Sequence, residues 1–239
     1  MQTKTIDGEL FIVGGKTRSG KTAWTMRTAK SSPVVFAWDP QQQWCDLPRF
    51  QKIETYAELK QITLAGRRGR FAYCPSGDRA KEFNRFCLAA FLYAENFGPG
   101  GTFKPGPRLD IVVEELAGVT NPGKSTGHWF DLVTSSLKYG PRIFAISQRW
   151  QEADKTAFDN FSYIVLFRTS SRLSAEYFAK RTRIPFDAIE GLGDFEYLVY
   201  HVDGQMTRKR LPFKRQPAGE APRETSLGTP GRQSDAPQV

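Results

Sequence analysis

Short apolar runs alternate with stretches whose apolar residues recur at helical spacing. Residues 9–13, 34–38, 71–74, 109–113, 143–146 and 163–167 read as short buried strands, rich in Val, Ile, Leu and Phe. Between them, residues 22–30 contain no Gly or Pro and can run as a helix. Residues 55–64 (Tyr56, Leu59, Ile62) and 81–94 (Phe83, Phe86, Ala90, Phe91, Tyr93) carry helical periodicity. Residues 129–139, ended by Gly140-Pro141, and 174–182 complete the predicted helices. The polar stretch 41–52 reads as irregular, and 98–107 as a Gly/Pro loop. Tyr197 to Tyr200, followed by the turn Asp203-Gly204, predicts a terminal hairpin. Strands alternating with helices predict an α/β domain of three layers with a mostly parallel central sheet. In such a sheet the ligand sits at the carboxyl ends of the strands. The domain is expected over residues 1–212. The tail, 213–239, turns to Pro, Gly, Ser, Gln and Arg from about Pro217, has little apolar surface to bury and is expected to be disordered.

One turn carries explicit chemistry. Residues 14–22 read Gly-Gly-Lys-Thr-Arg-Ser-Gly-Lys-Thr, and Gly15, Gly20, Lys21 and Thr22 satisfy the spacing G-x-x-x-x-G-K-[ST] between a strand and a helix. In that context the glycines let backbone N–H groups converge on phosphate oxygens, and the helix N-terminus adds partial positive charge. Gly15, Lys16, Thr17, Arg18, Ser19, Gly20, Lys21 and Thr22 are therefore the candidate nucleotide-binding residues. Lys21 reaches the terminal phosphates, and the Thr22 hydroxyl holds Mg²⁺. Lys16 and Arg18 either add charge near the phosphates or face a neighbouring subunit.

Three further groups fall at predicted carboxyl ends of strands. Asp39 closes the second strand. Glu114 and Glu115 sit at the tip of the strand 109–113, where Glu114 is a candidate metal ligand and Glu115 a candidate general base that polarises water. Gln148 follows the strand 143–146 and can hydrogen-bond both water and a terminal phosphate. The base-recognition pattern N-K-x-D of GTPases is absent, which points to ATP. The implied cofactors are ATP and Mg²⁺.

Net charge and cysteine content narrow the setting. The chain has 239 residues and a formal net charge of +9, compatible with nucleic acid or an anionic surface as partner. Arg223 and Arg232 in the tail are diluted by Glu220, Glu224 and Asp235, so the tail is no strong electrostatic arm. No apolar run is long enough to cross a bilayer, and no apolar signal region opens the chain, which predicts a soluble intracellular protein. Three cysteines, Cys45, Cys74 and Cys87, follow no metal-ligand spacing and imply a reducing compartment; Cys74 and Cys87 read as core residues. His128 and His201 are isolated and are not taken as sites.

Taken in order, the phosphate loop, Asp39, Glu114-Glu115, the helix to Lys138-Tyr139-Gly140 and Ile143-Phe-Ala-Ile-Ser-Gln-Arg149 resemble the HerA/FtsK superfamily of DNA-pumping ATPases. The resemblance spans about residues 8–200, including Ala157 to Arg168 after the Ser-Gln-Arg segment. The chain most resembles the compact genome-packaging ATPases of membrane-containing icosahedral viruses and phages. Its length leaves no room for an added β-barrel or winged-helix domain. The zonula-occludens-toxin-like phage assembly ATPases are the alternative, and a P-loop small-molecule kinase is a more distant one. The resemblance implies a P-loop NTPase domain of RecA/FtsK type that hydrolyses ATP and translocates DNA without sequence preference. It further implies a homo-hexameric ring, work at a capsid vertex or with viral membrane proteins, and location in the host cytoplasm or the virion. It assigns catalysis to Lys21, Glu115, Gln148 and Arg149. The chain departs from the family pattern in having Glu114 where Asp is common, and Leu137 and Lys138 where an Arg often precedes the glycine. The arginine supplied across the ring interface is therefore left among Arg142, Arg149 and Arg168. Candidate DNA-facing loops are 118–127, with Lys124, and the segment around Lys104.

Overall fold

The computed structural model describes residues 7–123 and 127–212; the tail 213–239 and Lys124 lie outside the described residues. The strands are β1 (Glu9–Gly14), β2 (Val34–Trp38), β3 (Gln51–Ile53), β4 (Gly69–Tyr73), β5 (Leu109–Val113), β6 (Arg142–Ser147), β7 (Tyr163–Phe167), β8 (Glu196–His201) and β9 (Met206–Arg210). They form one sheet in the order β3-β4-β2-β5-β6-β1-β7-β8-β9. Every pairing from β3 to β7 is parallel, and β8 and β9 add an antiparallel hairpin at one edge. The predicted α/β architecture with a mostly parallel sheet is therefore the observed one.

The helices are α1 (Lys21–Thr28), α2 (Tyr56–Leu64), α3 (Arg79–Phe97), α4 (His128–Thr134), α5 (Thr156–Asn160), α6 (Arg172–Arg181) and α7 (Phe186–Glu190). Alternate strand residues divide the core between the two faces. Leu10, Ile12, Phe36, Trp38, Ile111 and Val113 face a large cluster with Phe83, Phe86, Leu132 and Phe178 from α3, α4 and α6. Phe11, Val13, Val35, Ala37, Val112 and Phe144 face a smaller one, closed by Trp24 and Met26 of α1 and by Trp44 and Phe50 of the segment after β2. Among the described residues no helix is long and apolar enough to cross a membrane.

Two local expectations are corrected. The stretch 41–52, expected to be irregular, ends in β3, which pairs with β4. Gln51 and Lys52 are exposed and only Ile53 is buried, so this edge strand carries no apolar signature. The helix expected over 129–139 stops at Thr134 and resumes as one 3₁₀ turn, Leu137–Tyr139. Its Thr-Ser-Ser run competes for the helix carbonyls: Thr134 Oγ1 donates to Phe130 O at 2.7 Å and Ser136 Oγ to Leu132 O at 2.5 Å. The short helices α5 and α7, of five residues each, are too short to show a period.

Arg142 is also not free to act across an interface. It opens β6, in register with Asp110 of β5, at the edge of the sheet away from the strands' carboxyl ends. Its guanidinium holds Asp110 through two bonds, Nε to Oδ1 at 2.8 Å and Nη2 to Oδ2 at 2.6 Å. It also donates to Ser32 Oγ at 2.9 Å, and Ser32 donates in turn to Asp110. Asp110 is fully buried, and this cluster ties the segment after α1 to the sheet. Removing one partner of such a pair strands the other charge. Arg142→Ala is expected to destabilise the fold by about 3–5 kcal/mol, read as a lowered denaturation midpoint at unchanged slope. A change below about 1 kcal/mol, the range of a surface pair, would contradict this.

A phosphate-loop cleft at the carboxyl edge

β1 delivers the chain to the carboxyl edge at Gly14, and the loop Gly15 to Gly20 turns it into α1. Gly15 (φ 141°) and Gly20 (φ 111°) occupy left-handed backbone. Both conformations favour glycine, and a Cβ on Gly15 would in addition lie 2.7 Å from Phe167 Cβ, with no space for it. Gly20 precedes α1 without a side-chain cap, and the first turn of the helix has no acidic residue. The amides of that turn remain available to an anion. The Ser19 hydroxyl is buried in the loop without a hydrogen-bond partner. These features fit a phosphate-bearing ligand.

Lys21 is buried, and its ammonium donates to the carbonyls of Gly15 and Lys16, both at 2.9 Å. Burial lowers its pKa, while Glu115 and then Glu114 act in the opposite direction. Those acids arrive from two strands away, because the order β5-β6-β1 puts their ends on one flank of the loop. Glu114 is 4% exposed and accepts from Trp44 Nε1 at 3.0 Å. Burial raises its pKa, and hydrogen bonds from Trp44 and Thr22 offset part of that. The bond between Thr22 and Glu114 pairs the hydroxyl and carboxylate expected to hold Mg²⁺, an oxygen donor set that suits a hard cation.

Glu115 takes left-handed backbone (φ 51°), which turns its carboxylate away from the strand direction. Gln148, just beyond β6, donates from Nε2 to Glu115 Oε1 at 2.8 Å and accepts at Oε1 from Thr17 Oγ1 at 2.6 Å. A continuous path thus runs from the phosphate loop through an amide to the acid. Thr17, Arg18, Ser19, Gly20, Lys21, Thr22, Glu114, Glu115 and Gln148 together line a cleft of about 480 Å³. Lys16 turns to Asp194 at 3.3 Å, and Arg168 shares the same carboxylate oxygen at 3.3 Å. Arg149 does not line this cleft. It lies in an adjoining hollow, pairs with Glu152 at 3.5 Å, and its side chain is 74% exposed.

Asp39 stands at the carboxyl edge as expected but faces inward. It is fully buried and caps the turn after β2, accepting from the backbone N–H of Gln43 (2.8 Å), Trp44 (2.8 Å) and Cys45 (3.0 Å). That turn presents Trp44 to Glu114 and places Gln41 and Gln43 in the cleft wall. Sequence reasoning missed Trp44, Gln41, Gln43, Asp194 and Phe195; the polar run after Asp39-Pro40 was the one available signal. Cys45 and Cys74, far apart in sequence, converge on Asp39 with ligand atoms within 4.8 Å of one another. Asp39 is occupied by backbone amides, and burial pushes both thiols up in pKa. Of the candidate DNA-facing loops, Gly118 lies beside the cleft, whereas the loop carrying Lys104 leads into the amino end of β5.

No family model matches the chain. It is 31% identical over 154 residues to Protein P9 of Pseudoalteromonas phage PM2, a match covering 64% of the chain. The chain spans 65% of the length of that curated relative. In structure it is similar to the genome packaging NTPase B204 from Sulfolobus turreted icosahedral virus 2 in complex with AMPPCP. That similarity has a TM-score of 0.67 at 13% identity and covers 86% of this chain and 98% of that one. The bacterial conjugative coupling protein TrwB gives a TM-score of 0.57 at 11% identity over 91% and 88% of the two chains.

A carboxyl buried with its pKa raised favours the folded state when protonated. For Glu114 that contribution is present below its ordinary value of 4.5 and is lost as pH rises through the raised value. Without nucleotide, Glu114→Gln is therefore expected to melt above wild type at neutral pH, the gap closing as pH falls towards 4.5. Equal melting at neutral pH would contradict the cost assigned to this buried charge. The chain has the P-loop NTPase fold, in the form it shares with the viral genome packaging NTPase B204 and the conjugative coupling protein TrwB.

Proposed function

We propose that this chain is a Mg²⁺-dependent ATPase that drives DNA translocation, as the genome-packaging motor of a virus or phage. The observation that carries the reading is the hydrogen-bonded path Thr17–Gln148–Glu115 beside the buried Lys21. A phosphate-binding turn alone needs neither a water-polarising acid nor an amide linking that acid to the loop.

Each residue then has a stated task. The loop amides, the Ser19 hydroxyl and Lys21 bind and orient the triphosphate. Lys21 exchanges its bonds to the Gly15 and Lys16 carbonyls for phosphate oxygens. Thr22 and Glu114 are the residues that would hold Mg²⁺, which when bound offsets charge on the phosphate oxygens. Trp44 keeps Glu114 aimed at that position. Glu115 accepts the proton of the attacking water; the water oxygen bonds to the terminal phosphorus, the bond to the bridging oxygen breaks, and ADP leaves. Gln148, bonded to both loop and acid, reports whether the terminal phosphate is present.

In this reading the chains assemble as a homo-hexameric ring with the cleft between neighbours. Arg149 and Arg168, both at the carboxyl edge, are the remaining candidates for the arginine that a neighbour supplies. The exposed Arg149 guanidinium needs only to leave Glu152 to reach across. Basic loops, including the segment 118–127, contact the DNA backbone, so binding is independent of sequence and weakens with salt. The motor works in the host cytoplasm or at the virion's packaging vertex, with capsid or viral membrane proteins as further partners. Similarity in fold to a genome packaging NTPase supports this reading over a phage-extrusion ATPase or a small-molecule kinase.

Glu115→Gln keeps the bond to Gln148 possible but removes the base. It is expected to bind ATP as wild type does and to lower kcat by roughly 10²–10⁴-fold. Equilibrium nucleotide binding and phosphate release measure the two effects separately. Undiminished turnover in Glu115→Gln would remove Glu115 from the chemistry. Turnover that requires a small-molecule acceptor would favour the kinase.

A further inference from the structure

We infer that the loop carrying Phe103 and Lys104, with the end of α2 beside it, docks this chain on an anionic lipid surface. Two segments meet at the amino edge of the sheet, opposite the nucleotide cleft. Residues 60–70 lead from α2 into β4, and residues 98–108 lead from α3 into β5. Together they carry six basic residues, Lys60, Arg67, Arg68, Arg70, Lys104 and Arg108, and no Asp or Glu. Two of the six are engaged: Arg108 pairs with Glu9 at 3.2 Å, and Arg70 donates to the carbonyls of Ala29 and Ser32, both at 3.2 Å. Lys60, Arg67, Arg68 and Lys104 are exposed and have no ion-pair partner among the described residues. Arg68 and Lys104 come from different segments yet line one hollow of about 100 Å³, with Tyr93 and Phe97.

The same surface exposes apolar side chains. Phe103 is 75% exposed and Leu64 64%. Phe97 links their segments. Its ring meets that of Phe103 edge-on at 6.0 Å, and it packs against Gly66, where an added Cβ would lie 2.7 Å from Phe97 Cε1. The loop is held by its backbone: Thr102 N–H donates to Glu95 O at 2.7 Å and Lys104 N–H to Asn96 O at 2.8 Å, which presents Phe103 from the end of α3. Apolar tips among unpaired cations are complementary to a bilayer with anionic headgroups. Phe103 and Leu64 enter the acyl boundary while the ammonium and guanidinium groups stay level with the lipid phosphates. A nucleic acid would satisfy the cations and could stack on Phe103, but it offers no apolar medium to Leu64. Docking through the amino edge leaves the cleft at the carboxyl edge open.

The test sediments the full chain with vesicles of phosphatidylcholine, and with vesicles of phosphatidylcholine mixed with phosphatidylglycerol. Wild type is expected to bind the mixed vesicles, less so as salt rises, and to leave phosphatidylcholine alone unbound. Replacing Arg68 and Lys104 together by Gln is expected to weaken that binding by roughly 30-fold, about fivefold for each cation. Phe103→Ser is expected to weaken it by about tenfold, and Phe103→Trp to retain it. The melting temperature of each variant, expected to match wild type because the changed side chains are exposed, shows that the loss is read on folded protein. Failure of wild type to bind the mixed vesicles, equal binding to phosphatidylcholine alone, or undiminished binding by the Gln and Ser variants would each overturn the inference. So would variants that keep vesicle binding and lose duplex DNA, which would make this surface a nucleic-acid contact.

Discussion

The site depends on one electrostatic arrangement: a buried ammonium, Lys21, held between its own loop carbonyls and two carboxylates from another strand. Burial works against the charged forms of Lys21 and Glu114, and each helps keep the other charged. Neither acid is near Lys21 in sequence. The parallel register of β5, β6 and β1 brings them together, since it aligns the strands' carboxyl ends at one edge. The Asp110–Arg142 pair secures β5 and β6 at the opposite edge and therefore supports the cleft from a distance.

Around this centre the surroundings restrict each side chain rather than add reactive groups. Asp39 looks, from its position at a strand end, like a ligand-facing acid. Its three backbone bonds instead shape the turn that carries Trp44, and Trp44 fixes Glu114. Asp39 is thus a positioning residue two steps from the cleft. On the other side of the loop, Asp194 gathers Lys16 and Arg168 and so ties the hairpin's lead-in segment to the phosphate turn. The two flanks differ in character: one polar and acidic, the other marked by Phe195.

What could be read in the sequence follows from what each feature depends on. The phosphate loop was legible because its chemistry is local, requiring glycines and Lys21-Thr22 at fixed spacing. The buried strands were legible because both of their faces are apolar. Glu114, Glu115 and Gln148 could be placed at strand ends, but their connection through Thr17 needed the strand order. β3 was hidden because its exposed Gln51 and Lys52 resemble loop residues, and the break in the 129–139 helix turned on hydroxyl groups competing for carbonyls. Arg142 read as a free cation because its partner lies 32 residues away. Phe195 gave no signal at all, since nothing in Gly-Asp-Phe-Glu announces a left-handed phenylalanine beside a distant turn.

The central claim is that this cleft is a hydrolytic site whose turnover is coupled to DNA. Phosphate release by the purified full chain with Mg²⁺-ATP, measured with and without duplex DNA across a salt series, tests it most directly. The account predicts hydrolysis that DNA accelerates irrespective of its sequence, with the acceleration falling as salt rises. Hydrolysis indifferent to DNA at every salt concentration, or no hydrolysis by a protein that binds ATP, would contradict it.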